Sequence, residues 1–306
     1  MVFPTAIRQF AASAKASAPL KSSAWGPAIF GASLAIGSYF YYSSRPVAAE
    51  STLKGDKQWV DLKLIGSEEL TSNTREFTFE LPAGEKLGLT PTSALLAKYV
   101  TAKGNNVIRP YTPVNDLDDI GTFKLVIKRY ETGKFGNHIF ALKNGDTVAF
   151  QGPIPKYPWT ANKHAEVGLI GGGSGITPLY QLIHAIDKDP ADKTKVHLFY
   201  GNVTDNDIIL KKELEEVAAK NPEQFKFHFF VDKASDSWKG ETGYITKEYL
   251  EKNLFASSAD NVKVFVCGPP PFSKAISGPK VSPTDQGEVE GALKDLGFSK
   301  DQVFKF

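Results

Sequence analysis

The chain has 306 residues, enough for two domains of ordinary size behind an N-terminal extension. Hydrophobic residues make up 42% and charged residues 23%, which excludes a largely disordered protein, and 36 basic against 34 acidic residues excludes a chain built mainly to hold nucleic acid. A single cysteine excludes an intrachain disulfide and a cysteine-ligated iron–sulfur cluster. The five histidines include no pair at helical ligand spacing, so we expect no metal site.

Residues 1–49 are predicted to hold a mitochondrial targeting sequence and a membrane anchor. They are rich in alanine and serine and contain four basic residues and no acidic one, which is typical of a transit peptide. Ser22 to Ser44 carries no charge, and a helix of this length, rising ~1.5 Å per residue, can cross a hydrocarbon core of ~30 Å. Trp25 and Tyr39 lie near its two ends, as interfacial aromatic residues do. We therefore predict a membrane span over about residues 24–42, with a signal peptide and a disordered tail as the alternatives.

From residue 54 to residue 158 the sequence predicts an antiparallel barrel or sandwich. Short runs alternate between polar and apolar residues, and proline and glycine separate them. Such runs are Trp59–Leu64, Phe77–Leu81, Phe123–Ile127 and Thr147–Phe150. The domain ends in Gly152–Pro158, where three prolines in seven residues indicate a stiff joint.

Residues 159–306 are predicted to form a second domain of the α/β class. Apolar strands and amphipathic helices alternate along it, which is typical of βαβ units with a parallel sheet covered on both faces. The predicted strands are Val167–Ile170, Val196–Tyr200, Phe225–Val231 and Val262–Val266, and the predicted helices lie near Leu179–Ile186, Asp207–Lys220, Thr246–Asn253 and Glu288–Leu296.

A glycine-rich string, Gly171–Pro178, follows the first of these strands and opens a helix. Glycine lets the backbone approach a ligand closely, and a helix N-terminus offers unpaired N–H groups to an anion. Thr177 is predicted as the N-cap of the helix and Pro178 as its first residue. Because Ile176 stands where the dinucleotide-binding fingerprint has its third glycine, a simple tight turn is the alternative.

Three further strings carry groups suited to binding a cofactor. Arg109-Pro110-Tyr111-Thr112-Pro113 combines a guanidinium for phosphate with an aromatic face and a hydroxyl. Val126–Tyr130 and Gly133–His138 predict a strand and a Gly/Lys loop that can hold an anion. Cys267–Phe272 brings the thiol to the carboxyl end of a strand, where α/β sheets bind ligands. Taken singly, these strings are also explained by a surface turn, a basic hairpin and a buried inert cysteine.

In this order and spacing the four strings resemble the ferredoxin–NADP reductase superfamily, and most closely the NADH–cytochrome b5 reductases of fungal mitochondria. The resemblance runs from about residue 54 to residue 306. It is carried most by Arg109–Val114, Gly173–Leu182, Cys267–Phe272 and Lys300–Phe306. It implies an antiparallel Greek-key β-barrel that binds FAD over residues 54–158, followed by a Rossmann-like parallel α/β domain that binds NADH over residues 159–306. The predicted membrane-anchor helix precedes both.

For FAD, the resemblance implies that Arg109 binds the pyrophosphate, that Tyr111 packs against the isoalloxazine ring and that Thr112 lies by the reactive edge of the ring. Lys128 is expected to place positive charge near a ring that becomes anionic on reduction. Relatives commonly have Ser or Thr where this chain has Gly136, so FAD binding would rest more on backbone N–H groups and on Arg109. The remaining FAD-binding residues that the resemblance implies are Pro110, Val126, Tyr130, Gly133, Lys134 and Phe135.

For NADH, the resemblance implies that Thr177 approaches the flavin from the second domain. A carboxylate at Asp207 is expected near the adenosine ribose, where it accepts hydrogen bonds from the 2′-hydroxyl and repels a 2′-phosphate, so that NADH is favoured over NADPH. Asp205 is the alternative for this role. The remaining NADH-binding residues are Gly173, Gly175, Cys267, Gly268 and Pro269, and the residues expected to be catalytic are Thr112, Lys128, Thr177 and Cys267.

The function that the resemblance implies is hydride transfer from NADH to FAD, followed by delivery of single electrons to cytochrome b5 or a b5-like haem protein. Such carriers are acidic around the haem edge, so we expect a lysine-bearing face, with Lys134, Lys156 and Lys163 as candidates. The alternatives are a reductase of the same superfamily with another one-electron acceptor, and a non-catalytic membrane-tethered nucleotide-binding protein. The predicted location is the mitochondrial outer membrane, with a cleaved form in the intermembrane space as a further expectation. No nucleic-acid or metal partner is expected.

Overall fold

Two six-stranded sheets organise residues 49–306, the part of the chain that the computed structural model describes. The first lobe, residues 49–158, holds one sheet, and the second lobe, residues 159–306, holds the other. The predicted targeting sequence and the predicted span over residues 24–42 lie outside the described residues. Within residues 49–306, none of the helices combines the length and the apolar character needed to cross a membrane. The domain boundary at residue 158 stays a prediction.

The first lobe is an antiparallel sheet whose two edges meet. Its strands are β1 (Val60–Thr71), β2 (Thr74–Glu80), β3 (Ser93–Val100), β4 (Asn106–Tyr111), β5 (Thr122–Lys128) and β6 (Thr147–Pro155), in the spatial order β4-β3-β6-β1-β2-β5. A bridge between Pro113 and Leu125 joins the chain after β4 to β5, so the sheet curls around its apolar side. Phe77 and Phe79 alternate into that core, which is the period of two on which the prediction rested.

The second lobe is a parallel sheet with helices on both faces. Its strands are β7 (Glu166–Gly172), β8 (Lys195–Thr204), β9 (Phe225–Lys233), β10 (Glu241–Thr242), β11 (Val262–Cys267) and β12 (Val303–Lys305), in the order β10-β9-β8-β7-β11-β12. All five neighbouring pairs are parallel. The antiparallel and parallel classes predicted for the two sheets are therefore confirmed.

Six α-helices connect these strands within the described residues. They are α1 (Lys134–Ala141), α2 (Ile176–Lys188), α3 (Lys211–Lys220), α4 (Lys247–Asn253), α5 (Pro270–Ile276) and α6 (Gly291–Asp295). Buried residues of α2 and α3 pack with one face of the parallel sheet, and buried residues of α4, α5 and α6 pack with the other. The sheet is thus shielded on both faces, and its carboxyl edge stays open for a ligand.

Three local predictions were wrong. Gly133–His138 is not a loop, because Phe135 and Ile139, one helical turn apart, both pack into the core of the first lobe and α1 forms there. Thr177 is not an N-cap, because the tight turn Gly173–Gly175 leads directly into α2, and the Thr177 hydroxyl instead donates to the Ser174 carbonyl at 3.4 Å. The helix expected from Asp207 begins four residues later. The intervening turn, Asp205–Asp207, is closed by a capping box.

Apolar packing and a buried amide are among the contacts that hold the two lobes together. Val114 and Val126 of the first lobe pack into the core of the second lobe beside α2. Gln181, on α2 and only 3% exposed, accepts a hydrogen bond from the Ser93 N–H at 2.8 Å and donates to the Pro113 carbonyl at 3.2 Å. Because a buried amide is costly to leave unpaired, these bonds fix how the lobes meet.

Candidate active site

A cleft of about 760 Å³ opens between the lobes. One wall is the end of β5, and the other is the carboxyl edge of the parallel sheet, at the ends of β7, β8 and β9. This is the edge at which open α/β sheets bind ligands. Of the residues predicted from the sequence, those lining the cleft are Lys128, Tyr130, Gly173, Asp207 and Pro269.

Lys128 and Asp207 meet across the cleft. The Lys128 Nζ lies 3.6 Å from the Asp207 Oδ1, and the two side chains are 13% and 19% exposed. The other carboxylate oxygen, Oδ2, accepts hydrogen bonds from the Thr204 N–H at 3.2 Å and from the Thr204 hydroxyl at 2.7 Å. Both oxygens of Asp207 are therefore engaged by the protein.

The glycines of the site have different tasks. Gly173 borders the cleft with a φ of +53°, and no atom lies within 4 Å of the position that a Cβ would take, so its backbone is open to a ligand. A Cβ on Gly175 would lie 2.2 Å from the Cys267 carbonyl oxygen, and one on Gly268 would lie 2.5 Å from the Phe272 ring. Gly175 was expected to leave room for the dinucleotide, but it is buried and instead lets α2 approach β11.

Cys267 ends β11 beside the glycine turn. Burial raises the pKa of its thiol to about 12, against a smaller lowering by the Lys280 charge. The thiol is therefore neutral near pH 7 and is not a nucleophile. Thr177, 9% exposed, is two residues beyond Gly175, which lies against the Cys267 carbonyl. Thr112 is half-buried after β4 and precedes Pro113, whose carbonyl accepts from Gln181 of the second lobe. These three predicted residues therefore lie near where the lobes join.

A second set of predicted residues lies on the first lobe. Arg109 is exposed on β4, and Tyr111 packs on Phe135 of α1 with 5.2 Å between ring centroids. Burial raises the pKa of Tyr111, and the Arg109 charge lowers it by less. Gly133 is the N-cap of α1, no side chain caps it, and the first turn holds no acidic residue. Lys134 begins the helix, so its N-terminal N–H groups, the Lys134 ammonium and Arg109 suit a phosphate.

Three residues of the cleft, Asn202, Asp232 and Tyr244, were not predicted from the sequence. The cleft is lined by Asp232, which is exposed at the end of β9, and by Tyr244, which is 80% exposed. Asp205, the alternative to Asp207, does not line this cleft. It bonds to Ser235 in a separate depression of about 380 Å³. Asn202, 8% exposed at the end of β8, also lines the cleft. The available signal was a polar residue directly after each apolar strand, because such residues meet at the carboxyl edge of the sheet.

Comparison with known proteins agrees with this architecture. Residues 61–159 match the oxidoreductase FAD-binding domain model, and residues 169–278 match the oxidoreductase NAD-binding domain model. The chain is 61% identical over 276 residues to NADH-cytochrome b5 reductase 2 of Yarrowia lipolytica, covering 89% of this chain and 95% of the relative. The chain belongs to the NADH-cytochrome b5 reductase family. Another member, NADH-cytochrome b5 reductase 2 of Scheffersomyces stipitis, is 55% identical, with 94% and 97% of the two chains covered.

A solved structure of a related domain has the same fold. The cytochrome b5 reductase domain of Ulva prolifera nitrate reductase superposes with a TM-score of 0.73 at 30% identity, covering 84% of this chain and 99% of that domain. The family resemblance drawn from the four strings is therefore confirmed. FAD and NAD are the cofactors of the two matched domains.

Proposed function

We propose that the chain is an NADH-dependent flavoprotein reductase that passes single electrons to cytochrome b5 or a b5-like haem protein. The observation that supports this proposal is that two regions suited to binding a cofactor, one on the first lobe and one in the cleft between the lobes, occur in the same chain. The uncapped N-terminus of α1 with Arg109 and Tyr111 suits FAD, and the cleft at the sheet edge suits NADH. When bound, the two cofactors supply the hydride transfer and the conversion of an electron pair into single electrons.

The residues of the junction bind, orient and exclude water. Arg109 and the first turn of α1 would hold the FAD pyrophosphate, and Tyr111, fixed by Phe135, would present its ring to the isoalloxazine. Lys128, at the end of β5, supplies positive charge on the cleft wall. Thr112 and Thr177 would approach the reacting rings from the two lobes. The apolar packing between the lobes keeps the junction dry, as a hydride transfer requires.

Preference for NADH is assigned to carboxylates at the sheet edge. Asp207 is held by Lys128 and Thr204, whereas Asp232 is exposed in the cleft and carries a charge that would accept a ribose 2′-hydroxyl. We propose that both discriminate against a 2′-phosphate, and that Asp232 makes the direct contact.

The acceptor surface is proposed on the lysines near the joint between the lobes. Lys163 donates to the Pro158 carbonyl and lies 4.5 Å from the Tyr157 ring. Burial lowers the pKa of Lys280, and the charge of Lys156 lowers it further. We propose that Lys156, Lys163 and Lys280 act as one basic cluster. Such a cluster would steer an acidic haem protein, and Lys134 is exposed to do the same at α1.

Anaerobic flavin bleaching tests the proposed reaction. The full chain, purified with FAD, is mixed with NADH or NADPH, and the flavin absorbance is followed. Rapid bleaching by NADH, slow bleaching by NADPH and subsequent reduction of added cytochrome b5 are the expected results. A colourless protein that retains no FAD would overturn the proposal in favour of a non-catalytic binding protein.

Residues 1–49 are proposed to place the enzyme in the mitochondrial outer membrane. The support is their basic, alanine- and serine-rich composition and the uncharged run over Ser22–Ser44. The test is carbonate extraction of mitochondria with protease treatment of the intact organelle. Retention in the pellet with loss to external protease is expected, whereas full release by carbonate contradicts the anchor.

A further inference from the structure

Asn202 is a buried polar side chain whose hydrogen bonds are not made within the protein. It is 8% exposed, and over residues 49–306 neither its Nδ2 nor its Oδ1 has a hydrogen-bond partner. Buried amides in folded proteins are almost always paired, because an unpaired donor and acceptor lose their water without compensation. An exception of this kind requires a reason.

The position of Asn202 supplies one. The residue lies at the carboxyl end of β8 and lines the cleft. It shares a sheet face with Tyr200, whose hydroxyl donates to the Gly173 carbonyl at 2.9 Å and is thereby committed to the glycine turn. Burial raises the pKa of Tyr200, and the Asn202 amide, which contacts the Tyr200 hydroxyl as a hydrogen-bonding group, lowers it by less. This contact lies outside normal hydrogen-bond geometry and leaves both amide atoms without a full partner. The Asn202 amide is therefore available to form hydrogen bonds with a ligand in the cleft.

The chemistry of the amide limits what that group can be. Nδ2 donates and Oδ1 accepts, so both are satisfied only by a ligand group that offers an acceptor and a donor side by side. A phosphate offers acceptors alone and would leave Oδ1 unpaired. The nearby charges also do not favour an anion at this point, since Lys128 is already paired with Asp207. An uncharged polar group fits the position better.

We propose that Asn202 is a positioning residue for the dinucleotide, binding an uncharged donor–acceptor pair through both atoms of its amide. In NAD this pair is either the nicotinamide carboxamide or a ribose diol. The inference rests on the proposed function, since it needs the cleft to hold a dinucleotide. It also explains why an unpaired amide is kept in the fold, because the ligand supplies the missing partners.

Two variants of the FAD-loaded full chain test this, and binding of NAD⁺ to the oxidised protein is measured by calorimetry. Asn202→Leu has a similar shape and removes both hydrogen bonds, and Asn202→Asp keeps an acceptor but adds charge. We expect NAD⁺ to bind about 10- to 100-fold more weakly to both variants. The matched control is Asn221→Asp, whose amide lies at the end of α3 and already pairs with Gln224. It should bind NAD⁺ as the unaltered chain does.

The melting temperature without nucleotide separates this role from a structural one. Asn202→Leu loses only the distorted contact with Tyr200 and no hydrogen bond of normal geometry, so its melting temperature should change by no more than a few degrees and its flavin spectrum should be unchanged. A fall of many degrees would overturn the proposal and make Asn202 a structural residue. Unchanged NAD⁺ affinity in both variants would overturn it as well. In that case the unaltered chain still bleaches with NADH, so the proposed function stands by itself.

Two ligands distinguish the sources of the pair. ADP-ribose has the diols but no nicotinamide, and 3-acetylpyridine adenine dinucleotide keeps the ring but lacks the carboxamide N–H donors. If Asn202 binds the carboxamide, Asn202→Leu weakens NAD⁺ most, weakens 3-acetylpyridine adenine dinucleotide less, because the acetyl oxygen still accepts from Nδ2, and leaves ADP-ribose unaffected. If it binds a ribose diol, the variant weakens all three equally. Either result supports the proposal, whereas an equal loss of affinity for inorganic pyrophosphate would contradict it.

Discussion

The Lys128 ammonium lies 3.6 Å from the Asp207 carboxylate, and each residue belongs to a different lobe. Because both side chains are less than one-fifth exposed, the pair is better shielded from solvent than a surface salt bridge. The carboxylate is also fixed from behind by Thr204. The same ion pair therefore helps to fix how the two lobes are oriented and also sets the charge on the wall of the cleft.

A double-mutant cycle should measure this contact. We expect Lys128→Gln and Asp207→Asn to be coupled by about 1 kcal/mol in the free energy of unfolding, at the upper end for exposed pairs. The measurement is urea unfolding of the four proteins without nucleotide. If the two single effects add within about 0.3 kcal/mol, the charges do not act on each other in solution.

Gly136 offers a test of how FAD is held. A Cβ there would lie 3.4 Å from the Arg129 Cα, an ordinary contact, so larger residues fit in the first turn of α1. Gly136→Ala should stabilise the chain by up to about 1 kcal/mol, because alanine is the better helix former. Gly136→Ser should add a hydroxyl at the helix N-terminus and slow FAD dissociation, followed by the rise in flavin fluorescence.

The comparison of the two variants isolates the hydroxyl. Both add a Cβ, and only serine adds a donor for phosphate. If alanine and serine slow FAD release equally, the effect comes from the helix and the expected hydroxyl contact is absent.

The fold could be predicted from the sequence further than the site could. Period-two runs such as Phe77–Leu81 indicate a strand by themselves, and alternating strands and helices indicate a parallel sheet. The helix α1 was missed because it has eight residues and begins in a glycine- and lysine-rich string. Asp207 and Asp232 are far apart in sequence, and only the pairing of β8 with β9 brings their strand ends to one edge.

Gly175 and Gly173 should respond differently to the same change. Gly175→Ala forces a methyl group to within 2.2 Å of the Cys267 carbonyl oxygen, which must move, so we expect a loss of about 3 kcal/mol or more. In Gly173→Ala the new methyl group contacts no neighbouring atom. The only loss of unfolding free energy comes from placing alanine at a positive φ, and it should be about 1–2 kcal/mol. Urea midpoints of the two variants provide the measurement. Equal losses would mean that α2 and β11 do not pack as closely as the structure has them.

The Cys267 thiol should react slowly with alkylating reagents. With a pKa raised to about 12 by burial, only about one thiol in 10⁴ is ionised at pH 8, and the thiolate is the reactive form. The rate of modification by iodoacetamide should rise through pH 10 without a plateau, while free cysteine levels off near pH 9. A plateau below pH 9 in the native protein contradicts a neutral thiol with a raised pKa.

Asp116 links the lobes in a way that acid should remove. Its carboxylate accepts from His184 and lies 3.1 Å from the Lys188 Nζ, both on α2. Burial raises the pKa of Asp116, but the hydrogen bonds and charges of Lys188 and His184 together outweigh burial and hold the pKa below its ordinary value. A carboxyl group whose pKa is lowered by folding stabilises the folded state at every pH above its pKa in the unfolded chain, which is about 3.9. This stabilisation is lost as the pH falls through the lowered pKa of the folded state.

The pH dependence of one variant tests that link. Because Asp116 is 38% exposed, we expect Asp116→Asn to cost less than about 1 kcal/mol at pH 7. The gap in unfolding free energy between the variant and the unaltered chain should be present above the unfolded pKa of Asp116, about 3.9. The gap should close as the pH falls through the lowered pKa of Asp116. Protonated Asp116 has no negative charge, and the asparagine of the variant has none either. The control is Asp118→Asn, whose carboxylate pairs with Lys86 within the first lobe. A gap that does not close at the acid end would mean that the charge of Asp116 does not hold the lobes together.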